Sequence, residues 1–441
     1  MRKVFVHTFG CQMNEADSSR MVELLGRHAF VATPHPEDAD LILVNTCAVR
    51  EKAEQKLLSA LGRYRVHKAR RGTLLVVGGC VAQQEKERLL ARVPYLDFVF
   101  GPDNLGKLPE MIERAARERF AETGWMASEE YVFPSADPEA ARGRATAFVT
   151  AMKGCDNVCS FCIVPHTRGR EISRPYAEIV AECAALAEVG VREVTLIGQN
   201  VNSYAGGCDF AALLRRVAAV PGLARVRFTT SHPHDLSDAL VEAFRDEPKV
   251  MPHFHLPVQS GSDPVLARMR RDYTVEEYLG RFEKLRAARP GIAVTTDFIV
   301  GFPGESDEDF RQSLQLLERA RFDNSFSFVY SPRPHTGAAR RLGSAPEWQE
   351  VPREVAVPRL EELQALQRWI SSEILAGQLG RNVEVLVEGA LAGEESRRFG
   401  RTPENRVVHL DADEARAPAG ALLQVRITRA HANSLSGEIA S

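Results

Sequence analysis

The chain has 441 residues, 44% of them hydrophobic and 26% charged, with a formal net charge of −3, a composition that suits two to four globular domains with their own cores. No stretch reaches the ~18 uninterrupted apolar residues of a membrane span, and near-neutral charge excludes a protein that coats nucleic acid non-specifically, which requires broad phosphate neutralisation. The opening "MRKVFVHTFGC" has no signal-peptide cleavage pattern, so a cytoplasmic chain is expected, and its eight cysteines point to metal ligation or redox chemistry rather than disulfides.

Residues 1–125 read as strand–helix repeats. "KVFVHTFG", "DLILVNT" and "TLLVVGG" are short, apolar and β-branched, the pattern of buried parallel strands. Helical stripes follow at Met21, Leu24, Leu25 and His28, at Leu57, Leu58, Leu61 and Tyr64, and at Leu89, Leu90 and Val93. Asn14, with Asp17 three residues on, suits the first cap. Alternating β and α predicts a doubly wound parallel sheet. Residues 126–144 lose periodicity and read as a linker.

From 145 to 372 a second α/β series begins, with strands expected at "AFVTAMKG", "EVTLIGQN", "RVRFTTS", "FHLPVQS", "AVTTDFIVGFPG" and "NSFSFVYS". Six units in order suggest a partial or open (β/α)6 barrel, with its chemistry at the carboxyl ends of the strands. A helix, "RLEELQALQRWISSEILAGQ", leads into residues 373–441. There "NVEVLVEGAL", "RVVHLD" and "LLQVRITRAHANSLSGEI" alternate apolar and polar residues, the pattern of a small antiparallel barrel.

"GCDNVCSFCIVPHTRG" delivers Cys155, Cys159 and Cys162 into one loop behind the first barrel strand. Three thiolates on a four-iron cluster leave one iron open to a small molecule. The alternative is a zinc knuckle completed by His166 or a distant residue. Cys11, Cys47 and Cys80 each follow a predicted parallel strand and precede a helix. In an open sheet those ends line one crevice, and helix N-termini favour thiolate there. One such cysteine could be an ordinary core residue; three at three strand ends suggest a second metal centre.

C-x3-C-x2-C after the first strand of a β/α barrel resembles the radical S-adenosylmethionine superfamily. "TFGCQMNEADS", "NTCAVREKAEQK", "GGCVAQ", "LIGQNVNSY", "TSHPHD", "LPVQSGSD" and "DFIVGFPGE" extend the likeness to the methylthiotransferases over nearly the whole chain. They favour the branch that modifies isopentenyladenosine in tRNA. The resemblance implies two 4Fe-4S clusters, a radical-generating one on Cys155, Cys159 and Cys162 and an auxiliary one on Cys11, Cys47 and Cys80. It also implies S-adenosylmethionine as methyl donor and radical source, tRNA as partner, and an electron donor such as flavodoxin or ferredoxin to a monomeric enzyme. Rival substrates within the family are threonylcarbamoyladenosine in tRNA and an aspartate of a ribosomal protein; outside it stands a non-catalytic, zinc-containing RNA-binding protein. His166 and Ala16 depart from the residues more usual at their places.

Strand ends supply further candidates. Gln199 and Asn200, Gln259 and Ser260, and Gly301, Gly304 and Glu305 could contact S-adenosylmethionine, or could be ordinary turn residues. Cys183 reads as core and Cys208 as a free thiol. "GRYRVHKARRG" is a solvated helix end or a phosphate contact. "SRRFGRTPENRVV" resembles the RNA-gripping part of a TRAM module, with Arg397, Arg398, Arg401 and Arg406 toward phosphates and Phe399 toward a base.

Overall fold

A computed structural model describes residues 1–49, 51–391 and 393–440; Arg50, inside one of the motifs quoted above, lies outside the described residues. Six strands, β1 (Arg2–Phe9), β2 (Phe30–Ala32), β3 (Leu41–Thr46), β4 (Leu74–Gly79), β5 (Phe98–Phe100) and β6 (Phe120–Glu122), form a sheet in the order β2-β1-β3-β4-β5-β6. Every pairing in it is parallel. Both faces are therefore covered by helices, and β3 is buried at all six positions. Three of these strands, β2, β5 and β6, are only three residues long, too short to show a period in the sequence.

Helix α1 (Gln12–Gly26) follows β1 and α2 (Glu51–Arg71) follows β3. The cap of α1 lies earlier than expected: Cys11 is its N-cap, and Asn14 is fully buried within the first turn. Asn14 is held there by the end of β3, not by the helix start. After β4 the expected single helix is two, α3 (Cys80–Glu85) and α4 (Glu87–Arg92), broken at Lys86 with φ +51°. Helix α5 (Leu108–Arg114) packs on the face opposite α2.

One helical turn, α6 (Pro138–Ala141), interrupts the connection to the second series. That connection is stitched to its neighbours: Ala136 N–H donates to Glu182 (2.8 Å) and Asp137 N–H to Glu23 (3.0 Å).

The second series starts with β7 (Thr146–Thr150) and β8 (Met152–Lys153), the cysteine loop with α7 (Val164–Thr167), and β9 (Ile172–Ser173), which pairs with β8. It continues α8 (Tyr176–Glu188), β10 (Glu193–Ile197), α9 (Phe210–Ala218), β11 (Arg225–Phe228), α10 (Asp238–Asp246), β12 (His253–His255), α11 (Asp263–Met269), α12 (Val275–Ala288), β13 (Ala293–Val300), α13 (Asp307–Ala320) and β14 (Asn324–Val329). Parallel sheets β7-β10-β11 and β12-β13-β14 are joined by the bridge between Val226 and Val250, giving the six-strand open barrel. Helices α14 (Gly337–Arg341) and α15 (Arg353–Ala376) follow.

Five strands, β15 (Asn382–Leu391), β16 (Glu394–Arg401), β17 (Val407–Leu410), β18 (Leu422–Ala430) and β19 (Leu435–Ile439), close a small barrel in the order β15-β16-β17-β19-β18. Closure removes the exposed edges an open sheet would carry. The basic run expected to grip RNA, "SRRFGRTPENRVV", begins inside strand β16, "EESRRFGR", whose mixed composition gave no strand period in the sequence. The barrel is strapped to β11: Arg225 donates to Arg401 O (2.8 Å) and Glu384 (2.9 Å), and Arg227 to Thr402 O and Pro403 O (both 2.8 Å).

Candidate functional site: two cysteine triads across a domain junction

The strand order reverses between β1 and β3, and an open parallel sheet has its crevice at that point, beyond the carboxyl ends. Cys11 and Cys47 follow those two strands and Cys80 follows the next. Their ends approach closely: a Cβ on Gly10 would stand 2.7 Å from the Cβ of Cys47. A buried amide pair fixes the crevice. Asn14 Nδ2 donates to Asn45 Oδ1 (3.0 Å), Asn45 Nδ2 donates to Asn14 O and Ser18 Oγ (both 2.9 Å), and the Cys11 thiol donates to Asn14 Oδ1 (3.2 Å).

The three thiols sense one another. A hydrogen bond from Cys47 and the Arg168 charge lower the Cys11 thiol to about 6, against the cost of burial. Cys47 is pushed well up by that same bond, by burial, and by the negative charge of Cys11 and Cys80. Burial raises Cys80. Arg168 comes from the other half of the molecule, six residues past Cys162. Its Nε donates to Cys80 Sγ (3.2 Å) and its terminal nitrogen to Asp17 of α1 (2.6 Å).

Cys155, Cys159 and Cys162 stand at the carboxyl end of the first barrel strand, where Gly154 turns the chain at φ +74°. A Cβ there would lie 2.0 Å from Arg170 O, so the turn admits only glycine. Gly154 N–H donates to Gln199 Oε1, and Ser160 N–H to Met269 O (2.8 Å). Cys159 Sγ accepts from Arg271 (3.4 Å) and stands 3.8 Å from His232 Nε2. Burial pushes Cys155 up to about 11 and, with the neighbouring Cys159 charge, Cys162 up to about 12. Burial and Arg271 lower His232 to about 3, so its ring is neutral at physiological pH.

The two triads adjoin. Ile163, next to Cys162, packs in the core of the N-terminal sheet, while Met13 and Ala16 pack on Ile197 and Phe148 of the barrel. Lys153 ends β8 in a buried ion pair with Asp103 (2.5 Å), under the Tyr131 ring at 4.0 Å. Trp125 lies over Gly169.

The donor sets fit iron–sulfur clusters. Each triad offers three thiols and one buried guanidinium aimed at a sulfur, and Thr46 Oγ1, beside Cys47, is buried without a partner.

The softer candidates divide. Asn200 donates to Asp235 (2.7 Å) and leaves Oδ1 buried and unpartnered, an acceptor beside the cysteine loop. Gln259 adopts φ +76° and bridges to β13 through its backbone. Ser260 Oγ accepts from Ser262 N–H (3.2 Å) and stands 3.5 Å from Ser313 of α13. Gly304 packs against Glu347, and the Glu305 carboxylate takes Gly301 N–H (2.9 Å) and Arg359 (2.8 Å). These last three brace the fold around the strand ends.

The arginines of β16 and its turn are not the phosphate-facing row expected. Arg398 is buried against Glu414 and Ala417 O, Arg401 pairs with Glu388 (3.0 Å), Arg406 with Asp323 (2.7 Å), and half-buried Arg397 with Glu394 and Asp411. Acidic neighbours, most of them distant in sequence, neutralise them. Phe399 and Arg401 line a cavity of about 550 Å³ between the small barrel, α1 and strands β7, β10 and β11. Sequence reasoning also missed Arg168, Arg271 and His232. Arg168 and His232 lie inside motifs already quoted, but their partners are distant in sequence, and Arg271 follows helix α11 with no local signal.

Comparison with known proteins agrees with this geometry. Three family models match: uncharacterized protein family UPF0004 over residues 3–101, the radical SAM superfamily over 149–317, and the TRAM domain over 377–440. The chain is 79% identical to the tRNA-2-methylthio-N(6)-dimethylallyladenosine synthase of Anaeromyxobacter sp. (strain K), covering 100% of this chain and 94% of that one. Proteins of the same name from Myxococcus xanthus (64%, over 99% and 94%) and Geobacter metallireducens (51%, over 99% and 98%) are also similar. Among solved structures, the radical S-adenosylmethionine methyltransferase TsrM from Kitasatospora setae superposes with a TM-score of 0.57 at 15% identity, over 78% of each chain. The cobalamin-dependent radical enzyme OxsB gives 0.54 at 13%, over 83% of this chain and 56% of that one. Both likenesses concern the fold.

Proposed function

The chain belongs to the family of tRNA-2-methylthio-N(6)-dimethylallyladenosine synthases, and on that premise we propose that it is a radical S-adenosylmethionine enzyme that methylthiolates N6-dimethylallyladenosine, the isopentenyladenosine beside the anticodon of tRNA. The observation that carries the proposal is the pair of cysteine triads on either side of one domain junction, with Arg168 from the segment after Cys162 bonded to Cys80 and Asp17 across it.

Cys155, Cys159 and Cys162 would hold the radical-generating 4Fe-4S cluster, and Cys11, Cys47 and Cys80 the auxiliary one. With S-adenosylmethionine bound, the first supplies a one-electron cleavage that no polar side chain can perform. The chain's own residues do the rest. Arg271 and His232 fix the Cys159 sulfur. Arg168 and the Asn14–Asn45 pair hold the second set in register. Asn200 and Gln199, at the end of β10, are the S-adenosylmethionine contacts best supported by geometry, with Gln259 behind them. Ser260, Gly304 and Glu305 shape that pocket at one remove.

The proposal divides the chain into an auxiliary-cluster domain (1–125), a linker (126–144), a radical domain (145–372) and a TRAM-like RNA-binding domain (373–441). It includes an electron donor such as flavodoxin or ferredoxin and a monomer working in the cytoplasm; no helix of the described residues is long and apolar enough to cross a membrane. The test is mass analysis of tRNA nucleosides from cells lacking this gene, with and without the chain restored. Restoration should convert N6-dimethylallyladenosine to its 2-methylthio form, and Cys11→Ala or Cys155→Ala should abolish that. Unchanged nucleosides would sink the reading.

A further inference from the structure

Strand β1 is flanked on its outer side by β2 only from Arg2 to Val4. Beyond that it is an edge, and Phe5, His7 and Phe9, which alternate onto one face, are each only partly buried. The His7 ring lies 4.1 Å from that of Phe9 and 6.0 Å from Phe5 and Tyr64, and Nδ1 of His7 bonds the Tyr64 hydroxyl (2.6 Å). A groove of about 500 Å³ runs between this aromatic row and α2, lined by His7, Phe9, Gln55, Lys56, Ser59 and Arg63.

The helix side of the groove is cationic. Lys56, Arg63 and Arg70 are exposed and recur every seven residues, so they form one stripe with a spacing of about 10 Å. None has an acidic partner among the described residues. Elsewhere on the same helix the cations are engaged: Lys68 holds Asp97 (2.6 Å) and Arg71 holds Glu37 O (2.6 Å). No acidic residue lines the groove. Its aromatic row ends at Phe9, two residues before Cys11 and so about 7 Å away along extended chain.

We propose that this groove seats single-stranded nucleotides of the tRNA anticodon loop, with bases against His7 and Phe9 and phosphates along Lys56, Arg63 and Arg70. The inference rests on the tRNA reading above and adds to the C-terminal RNA-binding domain, whose β16 arginines are taken up by internal pairs, a second contact on the N-terminal sheet. Aromatic faces beside unpaired cations are how single strands are held without base-specific readout. Burial and the nearby Arg63 keep the His7 ring neutral, as stacking favours. An acidic carrier protein would also meet the cations, but the row of half-exposed rings suits unstacked bases.

The experiment uses the reconstituted full-length enzyme and a fluorescent anticodon stem-loop RNA bearing N6-dimethylallyladenosine, with anisotropy read at several salt concentrations. Lys56→Glu/Arg63→Glu should weaken binding at least tenfold and flatten the log–log salt slope by about 1.4, two phosphates on a single strand. Arg117→Glu, on the opposite face of the sheet, should change neither. Photocrosslinking from 4-thiouridine in the loop should mark the peptide carrying His7 and Phe9. If circular dichroism shows the double variant misfolded, Lys56→Ala and Arg63→Ala, both at exposed helix positions, make the same comparison. Wild-type enzyme that fails to bind this RNA would overturn the tRNA reading, and this proposal with it. Wild-type binding with undiminished affinity in the variants would overturn the groove alone, as would unchanged RNA affinity with slowed reduction by flavodoxin.

Discussion

Arg168, six residues past Cys162, reaches into the N-terminal set with one side chain, and its loss should be felt by both its partners, Cys80 and Asp17. With a side-chain exposure of 6% it pairs with Asp17, at 15%. Removing one member of such a pair leaves the other charge buried and costs about 3 kcal/mol. Arg168→Met should therefore lower the thermal midpoint of the metal-free protein, and adding Asp17→Asn should recover much of the loss in a double-mutant cycle. On the two-cluster proposal, loss of the N–H donated to Cys80 should also make a cluster on Cys11, Cys47 and Cys80 harder to reduce, read by potentiometric EPR in a Cys155→Ala/Cys159→Ala/Cys162→Ala background. The Cys11 thiol is lowered to about 6, while Cys47 and Cys80 are shifted upward. In metal-free protein at pH 7, iodoacetamide should label Cys11 first by peptide mass mapping, and more slowly as the pH falls below about 6, where the thiolate is lost. The cysteines themselves were legible in sequence because each is tied to its own strand end. The arginines were not, because Arg168 finds Cys80 88 residues away.

Elements were legible in proportion to their length and local pattern. The long strands and amphipathic helices of both α/β halves follow from periodicity alone. Strand β16 did not, since a closed barrel gives its charged residues internal partners that no local pattern records. Nor did the break between α3 and α4, since Lys86 takes a left-handed conformation where a glycine would have announced it. The turn at Gly154 is the opposite case, a local necessity visible in "MKGC". Gly154→Ala forces a Cβ to within 2.0 Å of Arg170 O, displacing the loop that carries Cys155, Cys159 and Cys162. The variant should retain its fold by circular dichroism yet bind half the iron of wild type after reconstitution, with 5′-deoxyadenosine production lost.

At the scale of the whole molecule, three bodies are joined by buried charge. Arg225 and Arg227 strap the C-terminal barrel to β11, with Glu193 beside Arg227 at 2.9 Å. Arg225→Met/Arg227→Met should loosen the strap: limited proteolysis should cut near residues 377–381, and RNA affinity should fall severalfold with the salt slope little changed.

The reach of Arg168 into the N-terminal crevice has a temporal meaning as well. Residues 1–125 emerge from the ribosome first and can fold around Cys11, Cys47 and Cys80, but the guanidinium that steadies Cys80 is synthesised only 88 residues after that cysteine. A nascent chain halted before residue 168 holds three thiols and no such clamp. If these three thiols hold a cluster as proposed, a chain truncated before residue 168 should bind less iron at them on reconstitution than the full-length Cys155→Ala/Cys159→Ala/Cys162→Ala variant.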